Sequence, residues 1–464
     1  MPFDHIQSRF FATVYLLPVL TVLEGKDLTV SNPRESLEAL AGERGQPRMA
    51  CAFGSFAVAL LLFCAVNAAA WAGGSGWWRA ADFPHLSWTG WRIKKFLQFR
   101  GTPDIVLLGS SLMLVPVAGV DADFVGRRLE GADHYRSRYF EHALQARSRR
   151  SARTFDFSLP GEMPSDAYLI TDFLLKGDKC PKVIVYGLGP RDFMDNLLPS
   201  PSSTDPFRNL ARFGDVSPIS ARAMPGWLER INFELGKVFY LYGRKTDIMA
   251  RADALAVKSL DGLVPEPAGG KKFSIDSRRS LLPLYLPEQL CRGEAYFRPT
   301  TTNERPQFFD NLNEYRSRYC HVKWDTFVSQ LEFLSDTLEL AKSRGVHVVL
   351  VAMPITDLNR SLIQDYAFNA YLRSIKAIAS AQGATFVNLY ASPAFSRADF
   401  GDTVHLHSGG GKKLLDLISE ALCNDAECRI SLSIPDNGYG QAAAGAVASR
   451  PAGEPVATAQ DRPL

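Results

Sequence analysis

"DIVLLGSSLM", residues Asp104 to Met113, runs from an apolar stretch straight into a glycine and two serines. A short apolar run bounded by turn residues reads as a strand buried on both faces. A buried strand that ends on hydroxyls raises two alternatives. Ser110 and Ser111 either cap the helix that follows, or one of them is a nucleophile presented at a strand end. The second alternative requires a base, an orienting acid and an oxyanion site on the same edge of one sheet.

Working outward, the chain alternates. Strand-like runs are Ile105–Leu108, Thr154–Leu159, Val183–Tyr186, Val346–Ala352 and Thr385–Leu389, and the clearest helical stretches are His321–Ser343, Ser361–Ala381 and Gly410–Leu422. Gly345 is the expected stop of the first of these. Strands alternating with helices predict an α/β fold: a doubly wound, mostly parallel five-stranded sheet of the flavodoxin-like kind. Between about 197 and 320 the alternation breaks into a long helical insertion rich in Pro and aromatics, with the amphipathic piece "WLERINFELGKVFYLYGRK". The predicted organisation is an N-terminal segment 1–48, a membrane anchor 49–78, an α/β domain 79–430 that carries the insertion, and a disordered tail 431–464.

The anchor rests on Met49 to Trp78, which holds no charged residue and is bracketed by Arg48 and Arg79. About 20 apolar residues cross a bilayer core, and this run is longer. Trp77 and Trp78 suit an interface, whereas Phe10–Leu23 is short, contains Pro18 and reads as interfacial. Arg44 and Arg48 before the span tilt the charge balance toward an internal N-terminus and an external body. A cleaved signal at "AAAWAGG" is the alternative, made weaker by the length of chain ahead of the span. The net charge of +3 argues against a nucleic-acid partner held by bulk charge. The basic cluster Ala146–Arg153 reads as a solvated helix end. The scattered cysteines, Cys51 and Cys64 among them in the apolar run, do not fix the redox compartment.

The unusual polar segments all follow predicted strands: Gly109-Ser110-Ser111, then "PGEMPSD" with Gly161, "GLGPRDFMDN", "MPITDLNR" and "DFGDTVHLHSGGGKKL". In open α/β sheets ligands bind beyond the carboxyl ends of the strands. "DTVH" places Asp402 three residues before His405, close enough for the carboxylate to hold the imidazole while the other ring nitrogen takes a serine proton. Backbone amides near Ser111 and Gly161, with a donor from the third loop, are the candidate oxyanion stabilisers. A metal alternative uses Asp402, His405 and His407 as zinc ligands but lacks a completing cluster. No metal or cofactor is expected.

These blocks resemble the SGNH (GDSL-like) hydrolase superfamily. "LGSSLM" is similar to its nucleophile block, with Ser111 at the nucleophile position and Ser110 where the usual aspartate stands. Gly161 falls on the glycine block, and Asp402 and His405 fall on the Asp-x-x-His block. The third block appears as Gly189-Pro190-Arg191-Asp192, with Arg191 in place of the asparagine oxyanion donor. A guanidinium still donates hydrogen bonds and adds charge; the alternative is that Arg191 pairs with Asp192 or Asp195 and stiffens the loop. The branch that this chain looks closest to is membrane-anchored and modifies envelope polymers, as the D-alanyl transfer protein of teichoic acid synthesis and the alginate O-acetylation proteins do. The resemblance implies Ser111, Asp402 and His405 as catalytic residues, and Gly161, Arg191 and Ser110 on the oxyanion and substrate side. It also implies an acylated glycan or lipid substrate at a bacterial inner membrane, and a membrane-bound acyl-donor protein as partner. A non-catalytic binding or assembly subunit on the same fold is the other reading.

Overall fold

The structure is a computed structural model that describes residues 48–74, 87–131, 133–245, 247–249, 251–252, 296–300 and 308–435. Phe10–Leu23, Trp77, Trp78, the middle of the insertion and the tail beyond Pro435 lie outside the described residues. The chain divides into two compact units. The first is Met1–Trp77 with Glu234–Lys245, and the second is Trp78–Phe233 with Thr246–Leu464.

In the first unit, helix α1 (Arg48–Gly74) contains a 20-residue stretch, Gly54–Gly73, that is long and apolar enough to cross a membrane, and only 6% of its most apolar window is buried. A core helix of a soluble domain hides its apolar side chains. This one exposes Leu61, Leu62 and Val66.

The second unit begins with α2 (Trp88–Gln98), β1 (Ile105–Gly109), α3 (Ser111–Val125), α4 (Arg138–Ser148) and β2 (Thr154–Asp156). Next come α5 (Pro164–Leu169), β3 (Val183–Leu188), α6 (Trp227–Val238), which runs on into the first unit, and α7 (Trp324–Ser343). The chain then forms β4 (His347–Ala352), α8 (Asp365–Gln382), β5 (Thr385–Asn388), α9 (Ser408–Asn424) and α10 (Ala426–Leu432). The strands make one five-stranded sheet in the order β2-β1-β3-β4-β5, and every pairing is parallel. The α/β expectation therefore holds.

Burial explains the sequence pattern. Every residue of β1 and β3 is buried, so these strands are apolar throughout rather than alternating. Helices α3, α4 and α9 pack on one another, and α7 packs on both α5 and α8. Right-handed crossovers from β1 outward to β2, and from β3 the opposite way to β4, put these two groups on opposite faces. The run predicted as Thr154–Leu159 pairs residue for residue only to Asp156, yet Phe157 and Leu159 still donate to the carbonyls of Leu107 (2.8 Å) and Gly109 (2.9 Å). Helix α7 stops where expected, with Gly345 at φ 71°. The insertion is helical at Asp205–Leu210, α6 and Leu312–Arg318, but it also holds a short strand, Tyr296–Phe297, that pairs antiparallel with Leu129–Glu130.

One boundary moves. The tail expected from Ser431 begins later, because α10 runs to Leu432, Leu432 is buried and Ile434 packs on the core. Apolar side chains that find a core this near the sheet outweigh the polar composition that follows them.

Candidate active site

The order of strands reverses between β1 and β3, which opens a crevice beyond their carboxyl ends. Gly109 closes β1 there at φ 141°, and a Cβ on it would come 2.7 Å from the carbonyl oxygen of Gly187. Only glycine lets the two strands pass so closely in that conformation. The chain then turns into α3, with Ser110 buried and Ser111 half-buried as the first helical residue.

Ser111 Oγ lies 2.8 Å from His405 Nε2, and His405 Nδ1 lies 2.6 Å from Asp402 Oδ2. The other Asp402 oxygen accepts the backbone N–H groups of Val404 (2.8 Å) and His405 (2.7 Å). Burial alone would raise the Asp402 carboxyl, but His405 and these N–H donors hold it below the usual carboxylate value. An ionised Asp402 fixes a proton on Nδ1 and leaves Nε2 facing the serine hydroxyl as an acceptor. The arrangement can take the proton from Ser111.

β5 is the far edge of the sheet, so the loop after it must reach back across to β1. Helix α9 makes this possible by packing on α3. A Cβ on Gly411 would meet Pro116 Cβ at 2.8 Å and Val120 Cγ2 at 2.9 Å. The loop itself is held at Thr403, which is fully buried. Its carbonyl accepts Thr356 Oγ1 (2.7 Å), its N–H donates to Asn311 Oδ1 (3.1 Å), and its hydroxyl accepts Asn359 Nδ2 (3.2 Å) and donates to Asn311. Next to it, Phe309 N donates to the Gly401 carbonyl at 2.8 Å.

Arg191 stands after β3, in the turn Arg191–Met194. Its Nε donates to Asp195 Oδ2 at 2.9 Å, and Arg318 Nη1 reaches the same oxygen at 2.6 Å. The pairing role expected for Arg191 therefore falls to Asp195 and not to Asp192. Burial lowers the Arg191 pKa and the Asp195 charge raises it, with the net effect upward. Its two terminal nitrogens remain against Gly161, 3.3 and 3.4 Å from where a Cβ would stand, and Gly161 is in the left-handed region at φ 74°. Any side chain at 161 would displace the guanidinium.

Ser110, expected on the substrate side, has its hydroxyl turned inward, 3.4 Å from Asp192 Oδ2. It makes no capping hydrogen bond to α3 either. Asp192 Oδ2 also accepts Gly189 N (2.8 Å), and Glu162 Oε1 accepts Gly109 N (3.1 Å). These two buried acids latch the serine turn to the loops on either side of it. Burial pushes Asp192 up to about 7, against the pull of Arg191, and lifts Glu162 well above its usual value, with repulsion from Asp166 and Asp192 adding to the shift. Sequence reasoning missed Glu162, Asn311, Asn359 and Arg318, because no periodicity marks a single polar residue in a loop or a short helix as interior.

His407 does not join Asp402 and His405. Its Nε2 contacts the Ala398 carbonyl at 2.6 Å, while its Nδ1 accepts the N–H groups of Gly409 and Gly410 at the start of α9. Among the described residues, His347, Asp425 and Cys428 do bring three donor atoms within 4.8 Å of one another at the other end of the strands. There Asp425 bonds Thr385 and caps α10 through Cys428 N, so its oxygens are already used. Compared with protein-family models and with curated proteins, the chain matches none.

Proposed function

We propose that this chain is a membrane-anchored serine esterase or acyltransferase of the SGNH type, acting on an acylated cell-envelope glycan or lipid. The observation that carries the reading is the line from Ser111 Oγ through His405 to Asp402, at 2.8 and 2.6 Å. In the proposed reaction Ser111 Oγ attacks the acyl carbonyl carbon while its proton passes to His405 Nε2. The tetrahedral oxyanion is met by backbone N–H groups at Ser111 and Gly161 and by the terminal nitrogens of Arg191. Collapse expels the alcohol, which takes the proton from His405 and leaves an acyl-serine. Water or a sugar hydroxyl, deprotonated by the same histidine, then attacks the acyl-serine; the Ser111 Oγ–acyl bond breaks, and His405 returns the proton to Ser111 Oγ.

The anchor supports a substrate at the membrane, and the charge balance around the span supports a single-pass inner-membrane protein with its body outside the cytoplasm. In a transfer reaction a membrane-bound acyl-donor protein is the natural partner. The other reading, a non-catalytic binding or assembly subunit, is favoured by one observation: Arg191 is clamped by Asp195 against Gly161, which narrows the crevice. Labelling of full-length protein in membranes with a fluorophosphonate separates the two. Labelling that disappears in His405→Ala supports the enzyme; no labelling of a folded wild-type protein overturns it.

A further inference from the structure

Helix α6 presents the opposite face to the one a surface helix normally exposes. Trp227 (73% exposed), Leu228 (56%), Ile231 (46%), Leu235 (39%) and Val238 (74%) are all exposed. At about 100° per residue these five lie within an arc of roughly 100°. The side turned to the body carries Glu229, whose Oε1 accepts Ser200 Oγ at 2.7 Å, and Phe233, which packs on the core. Arg230 Nε donates to the Met224 carbonyl at 2.9 Å. A helix that puts its polar contacts inward and a stripe of large apolar groups outward requires a cover.

The chain just beyond the helix identifies that cover. After Val238 it turns back so tightly that a Cβ on Gly243 would overlap the Gly236 carbonyl. Phe239 then packs on Phe63 of α1, with ring centroids 5.1 Å apart. Leu241 N donates to Asn67 Oδ1 at 2.9 Å, and Asn67 Nδ2 donates to the Phe63 carbonyl at 2.8 Å. Asn67 lies within the stretch Gly54–Gly73 and is only 5% exposed. Hydrocarbon penalises an unpaired amide side chain and an unpaired backbone N–H, and this bond removes both penalties. Phe63 stands about midway along the span, so its neighbours in the Phe239–Gly243 turn share that depth.

We infer that Trp227–Gly243 is a second membrane-embedded element: α6 lays its Trp227, Leu228, Ile231, Leu235 and Val238 face into the lipid, and the Phe239–Gly243 turn docks against α1 through Asn67. The inference rests on α1 being the anchor.

Depth-resolved fluorescence quenching tests it on the full-length protein in nanodiscs of phospholipids brominated at shallow or deep chain positions. Trp71, 66% exposed on α1, reports on the anchor, and Trp227 reports on α6. Quenching is compared among wild type, Trp71→Phe and Trp227→Phe. The expected result is that each substitution removes a lipid-quenchable component. Loss with Trp71→Phe alone overturns the inference and leaves the anchor standing. No loss with either overturns both. If Trp227 escapes bromolipid yet is also shielded from aqueous acrylamide, a protein surface or a second copy covers the stripe, and the lipid assignment is wrong.

Discussion

Ser110 and Ser111 are consecutive, yet their hydroxyls serve opposite sides of the chain. Ser110 Oγ turns inward to Asp192 at 3.4 Å, and Ser111 Oγ turns toward the crevice and His405 at 2.8 Å. Ser111→Ala is therefore expected to abolish labelling by a serine-directed probe, while Ser110→Ala keeps most of it, the 3.4 Å bond being too long to contribute much. Intact labelling in Ser111→Ala would move the nucleophile elsewhere.

Asp402 accepts both the imidazole and two backbone N–H groups, so Asp402→Asn changes the histidine tautomer without emptying the site. A loss on the order of 10⁴ in turnover is expected from comparable replacements. Because the carboxyl is held below its ordinary value, its contribution to stability is present above the ordinary carboxylate range and is lost as pH falls through the folded-state value. Asp402→Asn should thus lower the melting temperature at neutral pH and converge with wild type in acid. Parallel curves at all pH values would refute the charged form.

Arg191→Ala is expected to lower turnover by about 10²–10³, the usual effect of removing one oxyanion donor. The fold should survive, because Arg318 still pairs with Asp195 at 2.6 Å and that buried carboxylate is not left alone. Arg191→Lys should recover little, since an ammonium cannot pair with Asp195 and face Gly161 at once. Turnover per folded molecule equal to wild type in Arg191→Ala would assign the residue to stiffening the loop.

Asp192 sits near 7 in the folded protein against 3.8 as its ordinary value. Between roughly pH 4 and pH 7 the folded state keeps a proton that the unfolded chain has released, so this group makes the protein less stable as pH rises across that window. Asp166, raised to about 7, and Glu162, also raised, act in the same direction. Asp192→Asn retains the acceptor for Gly189 N and should flatten the fall in melting temperature between those pH values. An unchanged slope would show that Asp192 is ionised in the fold.

Gly411→Ala tests how the packing of α9 on α3 positions His405. The added methyl meets Pro116 and Val120 below 3 Å, and Pro116 is a rigid neighbour. Overpacking of this kind costs about 1–3 kcal/mol, against a helix-propensity gain of about 1 kcal/mol for replacing glycine. A net drop in melting temperature and reduced probe labelling are expected. A stabilised variant with full labelling would mean that the helices separate without moving His405.

Strand positions and the loops at their ends were legible because buried parallel strands must be continuously apolar, and Ile105–Leu108 and Val183–Tyr186 are. Asp402 and His405 were legible because one turn of chain connects them. That His405 would meet Ser111, 294 residues away in sequence, was readable only as the requirement that a nucleophile have a base. The small-residue packing of Gly411 on Pro116 that satisfies it leaves no hydropathy signal. Asp195 as the partner of Arg191, and Arg318 as the second arginine on it, were beyond reach for a related reason. Arg318 ends the long insertion, and the sequence separation hides the contact.

The closing stretch of that insertion bears on how the chain can diverge. Phe309 is bonded to Gly401, Asn311 to Thr403, and Arg318 to Asp195, so one short run of chain stitches the acid's loop to the carboxylate that holds Arg191. A deletion of one residue within 309–318 would shift the register of the acid loop and the arginine clamp together. A single change in this hem therefore reaches both loops at once.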